Sequence, residues 1–512
     1  MAENDTASHS NNRRIAKNTL FLYIRMLLVM AVTLYTSRVI LTALGVEDFG
    51  IYNVVGGLSS SFVFFSSSLS NATQRFLNFA LGQKDIGQST RIFNLSLLVY
   101  AIIVVIVLVL VESLGTWFLY HKLVIPAGQM DAAFWILQTT TLSLCVQLLG
   151  APFDAVIISR ENMKFYAYIG IIEAVCKLLL AYMISIADWN RLILYGCLLL
   201  CMTVIIKSAV VLYCRKKYEE CTFRFYWDKS LFKEMFSFVG WNGVGTAVWA
   251  VNEQGMSILL NIFFGPIVNA AKAIAQQVNA AINNFSTNFF TAVRPQIVKT
   301  YAANDYDSFI RLIFDSSKFT FYLMWILSLP ILLRTDYILY IWLKTPPEQS
   351  AIFIKWILAY SLVNSLTSPF WCAIQAVGKM KKYILIGSMV YLLAFPISYV
   401  FLRLGFTAVI VFQTLTVIRF IYLYVILTIV REYVYFSICK YTKDIILPII
   451  AVVTVSGIFM SFINPLFNES FISLILISFI SIIMAAITIS IFGLNRQERY
   501  LLINKLRTIL HV

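Results

Sequence analysis

Residues 268–296 read VNAAKAIAQQVNAAINNFSTNFFTAVRPQ. The segment lies between stretches apolar enough to cross a bilayer, yet it holds one Lys, one Arg and a dense set of Asn and Gln. Asn269, Lys272, Gln276, Asn279, Asn283, Ser286 and Arg294 follow one another at steps of three and four, with one gap at Phe290. That spacing puts them on one face of a helix, with Ala, Ile, Val and Phe on the other. In hydrocarbon every such polar group needs a partner or water, and a charge at the bilayer centre costs about 2.5–3.5 kcal/mol on insertion scales. The stripe therefore predicts a helix that lines a wet cavity. The competing reading is structural: Asn and Gln hydrogen-bond across packed membrane helices, each contributing about 1 kcal/mol.

The composition around the stripe fixes the class. The chain has 512 residues, of which 60% are hydrophobic and 13% charged. A soluble protein carries about 25% charged residues. Apolar runs of membrane-spanning length recur from end to end, so the expectation is an all-α integral membrane protein. The formal net charge of +15 fits both a cation-rich cytoplasmic face and an anionic substrate. No soluble basic domain is present to bind nucleic acid. The eight Cys show no metal-ligand spacing and no disulfide framework. The three His lie in tails or a loop, and no metal site is expected. P-loop, GxSxG, HExxH and Gly-rich dinucleotide motifs are absent from the sequence, so no catalytic residue is assigned. The polar start, MAENDTASHSNNRRIAKNTL, leads into a long apolar run without a small-residue cleavage site, which reads as an uncleaved first helix.

Fourteen spans are expected, near 18–44, 50–80, 92–119, 133–158, 163–185, 191–214, 234–263, 266–299, 313–340, 351–376, 382–404, 406–430, 445–466 and 471–493. With both termini cytoplasmic, twenty-five of the 40 Lys and Arg fall in inner loops and tails and five in outer loops, which sets the orientation. The expected organisation is a tail (1–17), a six-helix lobe (18–214), a cytoplasmic linker (215–233), a second six-helix lobe (234–430) and two last helices with a tail (431–512). The lobes look related. LGVEDFGIYNVVGGLSSS follows span one and FGPIVNAAKAIAQQVNAA follows span seven. Gly265 then pairs with Gly45 at an offset of 220, and STRIF (89–93) meets SFIRLIF (308–314). Six spans separate the copies, which makes them parallel repeats around a central cavity.

Candidate residues follow from the repeat. Shifted back by 219, the stripe maps onto Asn53, Gly57, Ser60, Phe64, Ser67, Asn71 and Arg75, so a cavity between the lobes would be lined from both sides. Arg25 sits about 11 Å inside the first span, within range of snorkelling. Lys177 lies mid-span, but Glu173 one turn earlier offers a neutralising partner. Lys207 is expected to snorkel inward, Asp154 to sit at a kink or gate after Pro152, and Arg38 and Lys355 to anchor outer helix ends; Arg419 is left without an assignment. The cavity set is thus Arg25, Asn53, Ser60, Asn71, Arg75, Lys177, Lys272, Gln276, Asn279, Asn283 and Arg294. Span seven carries Glu253 between Asn252 and Gln254, and Asn242, three turns earlier, shares its face. An intramembrane carboxylate suggests ion coupling through Asn242, Asn252 and Glu253; a salt bridge from Glu253 to Lys272 or another cation is the structural alternative.

LGVEDFGIYNVVGGL after span one and RPQIVKTYAANDYDSF (294–309) after span eight, on fourteen spans in two halves plus two, resemble the Wzx-type oligosaccharide flippases of bacterial surface-polysaccharide pathways. That group shares the MOP superfamily with MATE drug exporters and MurJ, and the resemblance covers essentially the whole chain. It implies translocation of an undecaprenyl-diphosphate-linked oligosaccharide from the inner to the outer leaflet of the bacterial cytoplasmic membrane. It also implies a cationic cavity, Na⁺ or H⁺ as coupling ion with no bound cofactor, and partners limited to the lipid-linked glycan, the bilayer and other polysaccharide-assembly proteins. A MATE-type small-molecule/cation antiporter is the alternative, against which the excess of cations over carboxylates in the spans argues.

Overall fold

A computed structural model describes the backbone of residues 2–500 apart from 84, 127, 161, 225 and 497. Side chains are described from residue 26 onward, except those at 64, 65, 67, 68, 71, 82, 163, 234–244, 288, 291, 292, 295 and 302. Two compact units follow one another, Met1–Ala270 and Ala271–Val512. The first contains α1 (Ala2–Ser60), α2 (Phe64–Gly82), α3 (Ile86–Leu110), α4 (Thr116–His121), α5 (Met130–Ser159), α6 (Met163–Ile186), α7 (Arg191–Lys217) and α8 (Lys229–Phe264). The helix α9 (Pro266–Ala302) starts at its end and runs into the second unit. There α10 (Tyr306–Leu333), α11 (Thr335–Leu343), α12 (Ser350–Ser365), α13 (Ser368–Val377), α14 (Met380–Leu392), α15 (Ala394–Arg403), α16 (Val409–Arg431), α17 (Ile438–Tyr441), α18 (Leu447–Ile463) and α19 (Phe471–Thr488) follow. Among the described residues there is no strand.

Eleven helical segments among the described residues are long and apolar enough to cross a membrane, and the chain is a multi-pass membrane protein. The expected spans near 234–263 and 266–299 are not among the eleven, because their polar residues lower the hydropathy, and the one near 50–80 is split, its start lying within the candidate segment Met26–Ser60. Length does not disqualify the first two: α8 has 36 residues and α9 has 37, about 54 Å each at 1.5 Å per residue. Only 17% of the most apolar window of α6 and 22% of that of α19 is buried, so these helices present their apolar sides to lipid.

The repeat shows in the backbone. Gly45 has φ 83° and ψ 169°, and Gly265 has φ 78° and ψ −173°. Both lie in a region open essentially to glycine alone. Gly45 kinks α1 between the expected first and second spans, and Gly265 separates α8 from α9. The same 220-residue offset recurs at the N-cap of α3, where Asp85 accepts from Gln88 N at 2.8 Å. Its counterpart Asp305 caps α10 and accepts from Ser308 N at 3.1 Å. It recurs again at the first residues of α5 and α12, Met130 and Ser350.

The two copies differ where the polar spans lie. α9 is continuous, whereas the expected second span breaks at residues 61–63. The hydroxyls of Ser60 and Ser61 turn back onto the carbonyls of Gly56 and Gly57, at 2.9 and 3.1 Å, and Phe62 N and Val63 N bond three residues back. Side-chain hydroxyls competing for helix carbonyls, next to two glycines, loosen the turn.

The first unit packs around α1, α3, α5 and α7, with Ile51, Val54, Val55, Tyr100, Ile136, Leu137, Leu148 and Leu192 buried together. α8 packs on α1 and α2, so this unit takes in a helix that the sequence repeat groups with the second lobe. In the second unit Phe314, Phe370, Phe436 and Tyr441 form an aromatic cluster. The last helices join α10 there: Trp325 Nε1 donates to Ser456 Oγ at 3.0 Å, and Arg334 Nη2 donates to the carbonyls of Asn464 and Phe467 at 3.0 and 2.6 Å.

Candidate functional site

In the first unit the polar face of α1 is largely satisfied locally. Asn53 is half-buried and donates to Phe49 O at 2.6 Å. Ser60 is exposed and bonds within its own turn. Ser59 is buried and meets Thr141 at 2.8 Å and Thr140 at 3.2 Å, tying α1 to α5. Two glycines on this face receive neighbours rather than solvent. A Cβ on Gly57 would stand 2.4 Å from Gln254 Oε1, and one on Gly50 would stand 2.0 Å from Pro266 O. Arg75 is exposed on α2. On α8, Asn252 is buried and Glu253 half-buried. About two turns further along, Asn261 accepts from Val124 N at 2.8 Å and donates to Val124 O at 3.3 Å, fastening the loop after α4. Arg25, Asn71 and Asn242 lie outside the described side chains.

Two charges that the sequence placed at interfaces or cavities have partners instead. Lys177 bonds Glu173 at 2.7 Å, with both side chains more than 40% exposed; the four-residue spacing made this pair legible. Lys207 has an acidic partner on a neighbouring helix. Its ammonium bonds Asp154 at 2.6 Å across α7 and α5, and Gly150 leaves room for its stem. Asp154 is thereby held in an ion pair. Lys355 bonds Asp336 at 3.7 Å on an exposed edge.

The second unit gathers the most connected polar set. Along α9, Lys272 and Ser286 are buried, Gln276, Asn279 and Asn283 are half-buried, and Arg294 is exposed. Asn283 Nδ2 donates to Asn279 Oδ1 at 2.8 Å and to Ser361 Oγ at 3.3 Å, while Ser361 donates to Asn279 Oδ1 at 2.5 Å. The middle of the stripe thus bonds across to α12, the arrangement expected of polar groups holding membrane helices together. Arg294 Nη2 donates to Gln375 Oε1 at 2.9 Å, on α13.

The α12 side of this network continues. Ser361, Asn364 and Thr367 recur at every third residue and form a short polar ladder. At its far end stands Arg419, near the middle of α16. Its Nη2 donates to Asn364 Oδ1 and, at 3.0 Å, to Thr367 Oγ1. Its guanidinium carbon lies 4.4 Å from the Tyr422 ring, 5.8 Å from Tyr360 and 5.9 Å from Tyr391. Tyr360 and Tyr391 meet hydroxyl to hydroxyl at 3.2 Å. Gly387 admits Tyr422, since a Cβ there would come within 3.0 Å of its ring. Among the described residues Arg419 has no carboxylate partner. The three-residue spacing from α12 to the start of α13 was present in the sequence, but nothing in it linked those residues to an arginine more than fifty positions later.

No family model and no curated protein matches the chain. Solved structures do. The lipid II flippase MurJ in an inward closed conformation superposes with a TM-score of 0.67 at 13% identity, over 93% of this chain and 98% of that one. An inward-facing multidrug resistance MATE family transporter of the MOP superfamily gives 0.65 at 12% identity, over 82% of this chain and 99% of the other. A MOP superfamily transporter from Pyrococcus furiosus, described as having a binding pocket of reverse polarity, gives 0.60 at 12% identity, over 82% and 95%. The chain therefore has the fold shared by MATE transporters and MurJ.

Proposed function

We propose that the protein translocates an undecaprenyl-diphosphate-linked oligosaccharide from the cytoplasmic to the outer leaflet of a bacterial cytoplasmic membrane, for surface-polysaccharide assembly, with both termini inside. The observation that carries this reading is the polar character of α9. In a fold shared with a lipid II flippase, a 37-residue helix presents amides, hydroxyls and two cations along one face. Asn, Gln and Ser exchange hydrogen bonds with sugar hydroxyls as water does, and cations offset a diphosphate. Neither the glycan nor the diphosphate enters hydrocarbon unaided. A carrier built this way acts by alternating access and not by covalent chemistry.

The test is reconstitution into liposomes with a fluorescent undecaprenyl-diphosphate-linked glycan in the inner leaflet. Appearance of label in the outer leaflet above protein-free vesicles supports the proposal, and equal rates sink it. Ala at Lys272 is expected to slow transfer while the protein still reaches the membrane.

A second reading, a MATE-type cation antiporter, is favoured by Glu253 within α8 and by the MATE fold neighbours. It predicts altered drug resistance on deletion or overexpression. Coupling to Na⁺ or H⁺ through Glu253 is separable: Glu253→Gln should remove the ion dependence of transport, and unchanged dependence refutes it.

A further inference from the structure

Arg419 is ten residues into α16 and thirteen residues short of Glu432, which pairs with Lys382 beside the helix end. At 1.5 Å per residue these are about 15 and 20 Å, so the guanidinium sits at mid-depth and reaches neither end. Lys318 of the same unit, by contrast, bonds both carboxylate oxygens of Glu498 at 2.5 and 2.6 Å. Arg419 has two neutral acceptors on one nitrogen, three tyrosine rings around it, and an Nε that is buried without an acceptor. Aromatic faces and amide oxygens hold a cation in place but do not neutralise it. The surround is also not sealed: Arg419, Tyr360, Asn364 and Tyr422 are half-buried, while Tyr391 is buried behind them.

We propose that Arg419 is the phosphate contact of this protein, an oxyanion subsite inside the second unit. The guanidinium fork, already oriented by Asn364, Thr367 and Tyr422, has donors to give to a phosphate. The α12 ladder supplies the rest of a headgroup site. Asn279, Asn283 and Ser361 offer amides and a hydroxyl suited to sugar one helical turn from Asn364, and Arg419 offers charge at the ladder's end. This assignment rests on the proposed lipid-linked glycan substrate and puts its main phosphate contact on α16 rather than on the cations of α9. The phosphate group comes from the diphosphate of the lipid carrier; free inorganic diphosphate would satisfy the same donors and is the second source to test.

The experiment uses purified full-length protein in nanodiscs with three probes: undecaprenyl diphosphate, undecaprenol and inorganic diphosphate. Phenylglyoxal, which modifies arginine, is applied to the wild type, and modification of Arg419 is read by peptide mass spectrometry. Undecaprenyl diphosphate should protect Arg419 and undecaprenol should not. By direct binding, Arg419→Gln should weaken undecaprenyl diphosphate by about ten- to a hundredfold, and Arg419→Lys should recover part of the loss. The wild-type protection arm keeps the test decisive if a variant does not fold. Preference for undecaprenyl diphosphate over undecaprenol without protection of Arg419 would overturn the assignment and leave the proposed function standing. Protection by inorganic diphosphate alone, with no preference between the two lipids, would keep the oxyanion site and overturn its lipid-linked source. Protection by none of the probes overturns the proposal.

Discussion

The backbone at Gly265 supports a substitution whose sign follows from conformation alone. Gly265 ends α8 at φ 78° and ψ −173°, and a Cβ added there meets nothing within 4 Å. Gly265→Ala therefore introduces no clash; it forces an L-residue into a region that costs about 1–3 kcal/mol. For a unit of 150–250 residues each kcal/mol lowers Tm by about 2–4 °C, so the expected loss is roughly 2–12 °C. Gly457 supplies the control. It lies inside α18, its added Cβ also meets nothing within 4 Å, and alanine is preferred to glycine within a helix by about 0.5–1 kcal/mol. Gly457→Ala should leave Tm unchanged or raise it. Thermal ramps of detergent-solubilised variants, read by fluorescence size-exclusion chromatography, compare the two. Equal shifts for Gly265→Ala and Gly457→Ala would show that the strain account is wrong.

Other outcomes follow from the ion pairs and caps. Lys207→Met and Asp154→Asn should each destabilise more than the double variant does, because each single change strands a partly buried partner of the 2.6 Å pair; Tm values of the four-member cycle decide it. Arg160 Nε and Nη2 bond Glu220 at 2.8 and 2.9 Å, and the Glu220 side chain is fully buried. Arg160→Ala should cost about 3 kcal/mol, and Glu220→Gln introduced on top of it should restore part of the lost Tm. Asp305 is held below its ordinary carboxylate value by hydrogen bonds from the side chain and backbone of Ser308. A depressed acid stabilises when ionised, so the capping contribution is full at neutral pH and fades as pH falls below 3.8 through the folded-state value. The Tm difference between wild type and Asp305→Ala should shrink over that range, and a constant difference would contradict the capping role.

Much of the fold was legible because its signals are local or periodic. Apolar length marks spans, and glycine at 45 and 265 marks the repeat, since the conformation adopted there excludes other residues. Glu173–Lys177 was visible because helical spacing alone brings the pair together. Asp154–Lys207 was not, because its partners are joined by the packing of α5 on α7 rather than by any periodicity. The break after Ser60 was also hidden: the seven-residue polar phase runs unbroken through it, and only the back-bonded hydroxyls show where the helix yields. Arg419 falls in the same class. One arginine in an apolar helix has no signature until Asn364, Thr367, Tyr360 and Tyr391 arrive around it from elsewhere in the chain, joining Tyr422 of its own helix.

The segment between α7 and α8, expected only as a linker, is given a mechanical character by its attachments. Glu220 is gripped by Arg160. The buried Asn94 of α3 donates to Thr222 O at 3.0 Å and accepts from Arg224 N at 2.7 Å. Tyr226 lies under Arg91, 5.6 Å from ring centre to guanidinium, and donates to Asp228, which caps α8. From Glu220 to Asp228 the anchor points thus fall at every second residue, and almost no slack remains. Force applied to the start of α8 passes straight into α3 and α5 instead of being absorbed by loose chain. Inserting even a short Gly-Ser stretch beside Thr222 should decouple those helices while leaving every span intact.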